Sequence, residues 1–308
     1  MVRLFLIFTL IFALVMFSVN VSSTATDSTT GEKPTLTAGY SLNLFGDVDI
    51  NDAKMSTKMW TELLIKKKGF FGNAETVILK NSASIEKAIR TKGIDIVVIR
   101  PEEYFDLNNK SVLEPIFVSD YGRYFYHEYL LIVRTDSGIE QLSDLKNKKI
   151  TIETTQNGTL VNTWIETIIM RKGYHTLKDF FHSIKDAGNA SKTLLPVFFR
   201  QADAAVVNRS AFETMQELNP QLGKELKVIA TSPNLLTGMV CLRKDFYRTY
   251  KAEIMEILDD MHKTPQGRQI LMLFRINRLV PFKPVYMETV EALLKEHKNL
   301  KIALSRKR

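Results

Sequence analysis

The sequence predicts an α/β protein of two lobes, with mixed or parallel sheets, helices on both faces and a ligand cleft between the lobes. Three observations carry that expectation. Short β-branched runs alternate with helices of amphipathic spacing, in two successive units. Gly69 and Gly93 follow the first two helices, where a C-terminal glycine belongs. No long flexible linker separates the two units.

An export leader comes first. Met1, Val2 and Arg3 precede an apolar run from 4 to 17, and small polar residues continue through Thr30, the pattern of a secretory signal peptide. The leader is assigned to 1–25 and a linker to 26–34. The apolar run is short for a membrane span, and an uncleaved anchor is the alternative. No Cys follows it, so a lipid anchor of the bacterial lipoprotein type is unsupported. The expected location is periplasmic or otherwise extracytoplasmic. The single Cys241 allows no intramolecular disulfide, so the remaining chain, about 280 residues, must be held by its core.

In the first unit, strands are expected at 36–40, 75–79 and 94–99, with helices at 53–68 and 84–90 between them. Such a βαβαβ unit implies a parallel sheet covered on both faces. A strand at 129–134 leads into the second unit: strand 149–153, helix 160–172, strand 180–184, helix 190–199, strand 204–207, helix 209–218 and strand 226–230. A strand at 239–242 and helices near 246–261, 267–273 and 285–296 complete the chain.

Ligands of open α/β sheets bind beyond the carboxyl ends of the strands, near helix N-termini. The leading candidate is therefore the polar turn Thr154, Thr155, Gln156, Asn157, Gly158 and Thr159, between strand 149–153 and helix 160–172. Unpaired N–H groups and the positive end of the helix dipole favour an anion there, and the three threonines add hydroxyl donors. The alternative is that Thr155 or Asn157 simply caps the helix.

The same rule nominates Tyr40 and Ser41, Arg100 and Tyr104, and Asn208 to Ser210. Arg100 suits an oxyanion through its planar fork, or a surface bridge. Tyr40 and Tyr104 suit a cleft wall or ordinary packing between lobes. Lys192 is a second, weaker cation, and Asp203 suits a structural hydrogen bond. Tyr121, Tyr124 and Tyr126 suit hinge packing, with a cleft contact open to one of them.

A net charge of +8 is spread along the chain, with small clusters at 66–68 and 305–308, so no nucleic-acid partner is expected. The five histidines, 127, 175, 182, 262 and 297, lack metal-ligand spacing, and no hydrolase elbow or phosphate loop occurs. His127 and Glu128 are adjacent in an extended segment and so point to opposite faces, which denies them joint acid/base action. No enzyme activity, cofactor or metal is expected.

Several segments carry a resemblance: 130–139 (Leu-Leu-Ile-Val-Arg-Thr-Asp-Ser-Gly-Ile) with 142–146, 201–205 (Gln-Ala-Asp-Ala-Ala), 225–229 with Ser232 and Pro233, and 263–265 (Lys-Thr-Pro). In order and spacing they resemble the phosphate/phosphonate-binding solute receptors of ABC importers, a branch of the type 2 periplasmic binding proteins. The resemblance implies a first lobe of 35–126 and 233–308 and a second of 127–232. It places the family's Ser-Thr-Ser-Gly anion turn on Thr155 to Gly158.

For receptors of aminoalkylphosphonates the resemblance implies a His where this chain has Asn189, a Glu where it has Ser210 and an Asp where it has Gly238. A buried ammonium group needs a carboxylate partner, because an unpaired buried charge costs several kcal/mol. With both carboxylates replaced, an aminoalkylphosphonate is a poor candidate.

The implied function is an exported, monomeric receptor that closes over a small oxyanion, such as phosphate, phosphite or a phosphonate, and delivers it to a membrane ABC permease. The alternatives are a ligand-sensing accessory of a membrane histidine kinase, or an enzyme on the same fold of the thiamine-pyrimidine synthesis type. The enzyme would be cytosolic with His and Cys in its cleft, and the leader and the core-like Cys241 count against it.

Overall fold

The computed structural model describes residues 33–45, 49–66, 71–122, 125–154 and 159–306. The leader and the candidate turn at 155–158 lie outside the described residues, as do Tyr124 and Gly69. Among the described residues no helix is long and apolar enough to cross a membrane.

Two sheets organise the chain. The first begins as expected: β1 (Thr35–Ser41), α1 (Ile50–Lys66), β2 (Asn73–Leu79), α2 (Ser82–Arg90) and β3 (Ile96–Ile99), with β1 pairing parallel to both β2 and β3. Asn81 starts α2 through a reciprocal capping box with Ser84. The sheet then departs from the parallel expectation. Its order is β11-β4-β10-β3-β1-β2, and β10 (Met239–Arg243) runs antiparallel to β3.

Strands β4 (Leu113–Asp120) and β11 (Arg278–Pro281) are not expected from the sequence, and proline explains both. Pro115 has no N–H to give the ladder, and it faces Cys241 where the β4–β10 register shifts. Pro281 ends the edge strand β11.

The second sheet has the order β7-β6-β8-β5-β9. It contains β5 (Tyr129–Arg134), β6 (Lys149–Glu153), β7 (Ser183–Ala187), β8 (Ala204–Asn208) and β9 (Leu226–Thr231). Strand β6 is parallel to β7 and β8, whereas β5 is antiparallel to β8 and β9. The strand expected at 180–184 starts later. Thr176 caps a short helix that ends at the fully buried Phe180, and that aromatic carried the strand-like pattern.

The remaining helices are α3 (Pro101–Asp106), α4 (Thr159–Met170), α5 (Leu177–Phe180), α6 (Ala190–Phe198), α7 (Arg209–Leu218), α8 (Pro220–Glu225), α9 (Lys244–Asp259), α10 (Pro265–Leu273) and α11 (Glu288–Ser305). Helices as short as α3, α5 and α8 show too little of a 3.6-residue period to be read from pattern.

Alternation along the strands divides the core. Ile96 and Val98 join Tyr40 and Phe117 in one apolar cluster, and Leu130 and Ile132 join Val207 and Phe212 in another. The opposite residues, Val97 and Ile99 of β3 with Leu131 and Val133 of β5, share a third cluster with Trp164 of α4 and Leu293 of α11. Each fully buried aliphatic side chain contributes roughly 1.5–3 kcal/mol. Helix α11 packs along α4 and also meets α3. The chain passes between the sheets after β4, where 121–122 and 125–128 are described, and again at 232–238, and these passages are pinned together: His127 and Leu235 exchange both N–H···O bonds at 2.8 Å.

Candidate functional site

The carboxyl ends of β1 and β3 are fixed by one buried carboxylate. Glu103, 4 % exposed, accepts the Ser41 hydroxyl at 2.6 Å, the Asn43 side-chain amide at 2.8 Å and the backbone N–H of Arg100 at 2.9 Å. This holds Arg100 at the cap of α3, because its backbone is locked while Pro101 opens the helix. The Arg100 and Glu102 side chains are only 16 % and 12 % exposed, and Nη1 lies 3.5 Å from Glu102 Oε1.

Arg100 stands beside the first passage between the sheets. Tyr121, His127 and Tyr129 form an aromatic column there, with ring centroids 4.6 Å apart for Tyr121–His127 and 6.5 Å for His127–Tyr129. Burial, with the Arg100 charge adding to it, pushes His127 down to about 4, so the imidazole is neutral at neutral pH. Burial pushes both phenols up. The Tyr121 hydroxyl also accepts Thr237 Oγ1–H at 2.8 Å. The Arg100 guanidinium thus has the Glu102 carboxylate on it and a set of neutral hydrogen-bonding groups nearby, which could meet an anion.

The second sheet adds Glu153 and Asn208. Glu153 ends β6, and its Oε2 accepts the Asn208 N–H at 2.9 Å. Burial raises its pKa, and that hydrogen bond and the charge of Arg275 oppose the rise. Asn208 caps α7, its Oδ1 accepting Ser210 N–H at 2.9 Å, while its Nδ2 is buried with no hydrogen-bond partner among the described residues. Such an orphan donor costs roughly 1–3 kcal/mol until an acceptor reaches it.

The structure brings Arg100, Ser41, Asn208 and Ser210 to strand ends, and separates other expected residues from them. Tyr40 lies in the core rather than on a cleft wall: it is 1 % exposed, and its hydroxyl meets Thr61 Oγ1 at 3.1 Å. Its position in β1 points inward with Leu36 and Ala38. The Tyr104 ring packs edge-on against Phe105, and burial raises the pKa of its phenol. Thr154 continues the ladder, donating its N–H to Ala187 O at 3.1 Å, and Thr159 opens α4. Thr155, Gln156, Asn157 and Gly158 lie outside the described residues.

Asn189 is exposed and caps α6 by accepting Lys192 N–H at 2.9 Å, and Lys192 is exposed as well. Asp203 accepts Lys149 N–H at 2.8 Å, a structural hydrogen bond. Tyr126 packs against Phe125 and Tyr286, while Glu128 is turned toward Arg209. Among the described residues no group of three His, Cys, Asp or Glu side chains is placed to hold a metal.

Sequence reasoning overlooked Glu102, Tyr129, Glu153 and Thr237. Glu153 was within reach, since it closes an expected strand directly before the candidate turn. Tyr129 and Thr237 carried no signal, because only the tertiary fold brings the two passages together.

Two mixed sheets with helices packed on them, joined by two passages, give the chain the fold of the type 2 periplasmic binding proteins. Residues 67–285 match the family model for the ABC-transporter phosphonate periplasmic substrate-binding proteins, and the chain belongs to that family. A phosphonates-binding periplasmic protein of Escherichia coli (strain K12) is 27 % identical over 239 residues, covering 74 % of this chain and 68 % of the relative.

Among solved structures, PhnD1 from Prochlorococcus marinus (MIT 9301) in complex with methylphosphonate matches with a TM-score of 0.58 at 15 % identity, covering 87 % of this chain and 99 % of that one. XAC2383 from Xanthomonas citri bound to chloride ion matches with a TM-score of 0.60 at 12 % identity, with coverage of 87 % and 99 %. At these identities the two likenesses concern the fold.

Proposed function

We propose that the chain is an exported receptor that holds a small phosphorus oxyanion between its two sheets and presents it to a membrane ABC permease. The mature protein acts as a monomer, after removal of a leader at about 1–25. One lobe comprises 35–126 and 233–308, and the other 127–232. The observation that carries the ligand reading is Arg100, held by Glu103 beside the neutral groups of His127, Tyr121 and Tyr129. The turn from Thr154 to Thr159 supplies N–H donors at the start of α4, and Ser210 adds a hydroxyl from the second sheet. Closure is driven by contacts that only the closed state makes.

Thermal melting of the mature chain tests this. Phosphate, phosphite or methylphosphonate should raise the melting temperature, and sulfate and an aminoalkylphosphonate should do so less. An uncharged solute that raised it while every oxyanion failed would overturn the reading.

A further inference from the structure

The oxyanion reading leaves two carboxylates at the strand ends unexplained, Glu102 beside Arg100 and Glu153 at the end of β6. Glu153 is the more informative. It ends β6 immediately before the candidate turn, where ligands of such sheets lie. Its Oε2 is engaged by Asn208 N–H at 2.9 Å, whereas Oε1 has no hydrogen-bond partner among the described residues. Its charge helps to raise the Tyr129 pKa within its own sheet, and the charge of Arg275, which precedes β11 of the other sheet, opposes the rise of its own.

We propose that Glu153 makes the site selective for oxyanions that still carry a proton, so that a hydrogenphosphonate is accepted and a fully ionised sulfonate of the same shape is refused. This rests on the oxyanion reading above. An ionised carboxylate is an acceptor only, so it attracts a P–OH group and repels an oxygen that has no hydrogen to offer. One proton is needed between the facing oxygens: the ligand brings it as a monoanion, or draws it from solvent on binding when it arrives as a dianion, whose basic oxygen a sulfonate lacks. Burial raises the Glu153 pKa, which suits it to share that proton. Asn208 complements it, because its buried Nδ2 is a donor in want of an acceptor oxygen beside the same carboxylate. A sulfonate, a strong acid, brings no proton at neutral pH and leaves two negative groups in contact.

Calorimetric titration of the mature chain with methylphosphonate and methanesulfonate is the test. Wild type should prefer the phosphonate, and Glu153→Gln, whose amide donates where the carboxylate accepts, should shrink that preference by about tenfold or more. Titration in buffers of different ionisation enthalpy, well above the second ionisation of methylphosphonate, should show wild type taking up about one proton on binding. This second measurement needs no variant. Equal wild-type affinity for the two ligands would overturn the proposal, as would binding of the dianion without proton uptake. So would a folded Glu153→Gln variant that kept the preference, or one that lost only an aminoalkylphosphonate, which would assign the carboxylate to an amine. Failure of wild type to bind any phosphorus oxyanion would instead remove the oxyanion reading itself.

Discussion

The Glu103 carboxylate accepts the backbone N–H of Arg100 at 2.9 Å, and its other oxygen gathers Ser41 and Asn43 from the end of β1. One buried side chain thus sets the relative position of two strand ends and the cation between them. Glu103→Ala strips three donors of their acceptor at once, and should destabilise the protein by about 3 kcal/mol. Urea denaturation should show the loss as a lower midpoint at unchanged slope. Glu103→Gln, which keeps one acceptor oxygen, should lose less.

Arg100 itself should matter for affinity more than for folding. Arg100→Ala should weaken methylphosphonate binding by at least about tenfold, the scale of one lost charge-assisted hydrogen bond. Arg100→Lys should not restore it, because an ammonium lacks the planar fork. Calorimetric titration of both variants, with melting curves to confirm their folding, checks this. Wild-type affinity in Arg100→Ala would remove the guanidinium from the site.

His127 gives the protein an acid-side weakness. Its pKa is lowered from the ordinary 6.5 to about 4 in the folded state. The unfolded chain therefore binds the proton more readily, and stability falls as pH drops from about 6.5 to about 4. Above that window the full stability is present. The upper limit of this contribution is about 3 kcal/mol, because an edge of the residue remains solvent-exposed. Melting curves across the window should show the fall, and His127→Gln should flatten it.

Gly238 tests the reading of the missing amine carboxylates. A Cβ there would sit 2.7 Å from Ser119 Oγ and 3.6 Å from the Tyr121 hydroxyl, so a side chain would stand beside the aromatic column. Gly238→Asp should need Ser119 to turn aside, at roughly 1–2 kcal/mol. It should raise the affinity for an aminoalkylphosphonate relative to methylphosphonate by about tenfold. Paired titrations of the variant and wild type measure the ratio.

The alternation of strands and helices was legible wherever the period ran long enough, as in β1, α1, β2, α2, β5 and β6. What stayed hidden had local physical causes. Pro115 disguised β4, Phe180 lent a strand pattern to a short helix, and six residues of α3 show no period. At the site, Arg100 could be read from its place after a strand, and so could Asn208. Tyr40 stood at an equally suggestive position, yet the side chain alternates inward there and its hydroxyl is met by Thr61 of α1. Strand-end position names candidates; the phase of the strand decides which of them face the ligand. Tyr129 and Thr237 depend on the pairing of His127 with Leu235, which no local pattern announces.

The central claim is that a phosphorus oxyanion binds at the Arg100 group between the sheets. Calorimetric titration of the mature wild-type chain with methylphosphonate tests it most directly. Saturable binding of one ligand per chain, displaced by phosphite or phosphate and not by an uncharged sugar, is the predicted result. No heat of binding with any of the three phosphorus oxyanions, together with saturable binding of an uncharged solute, would contradict it.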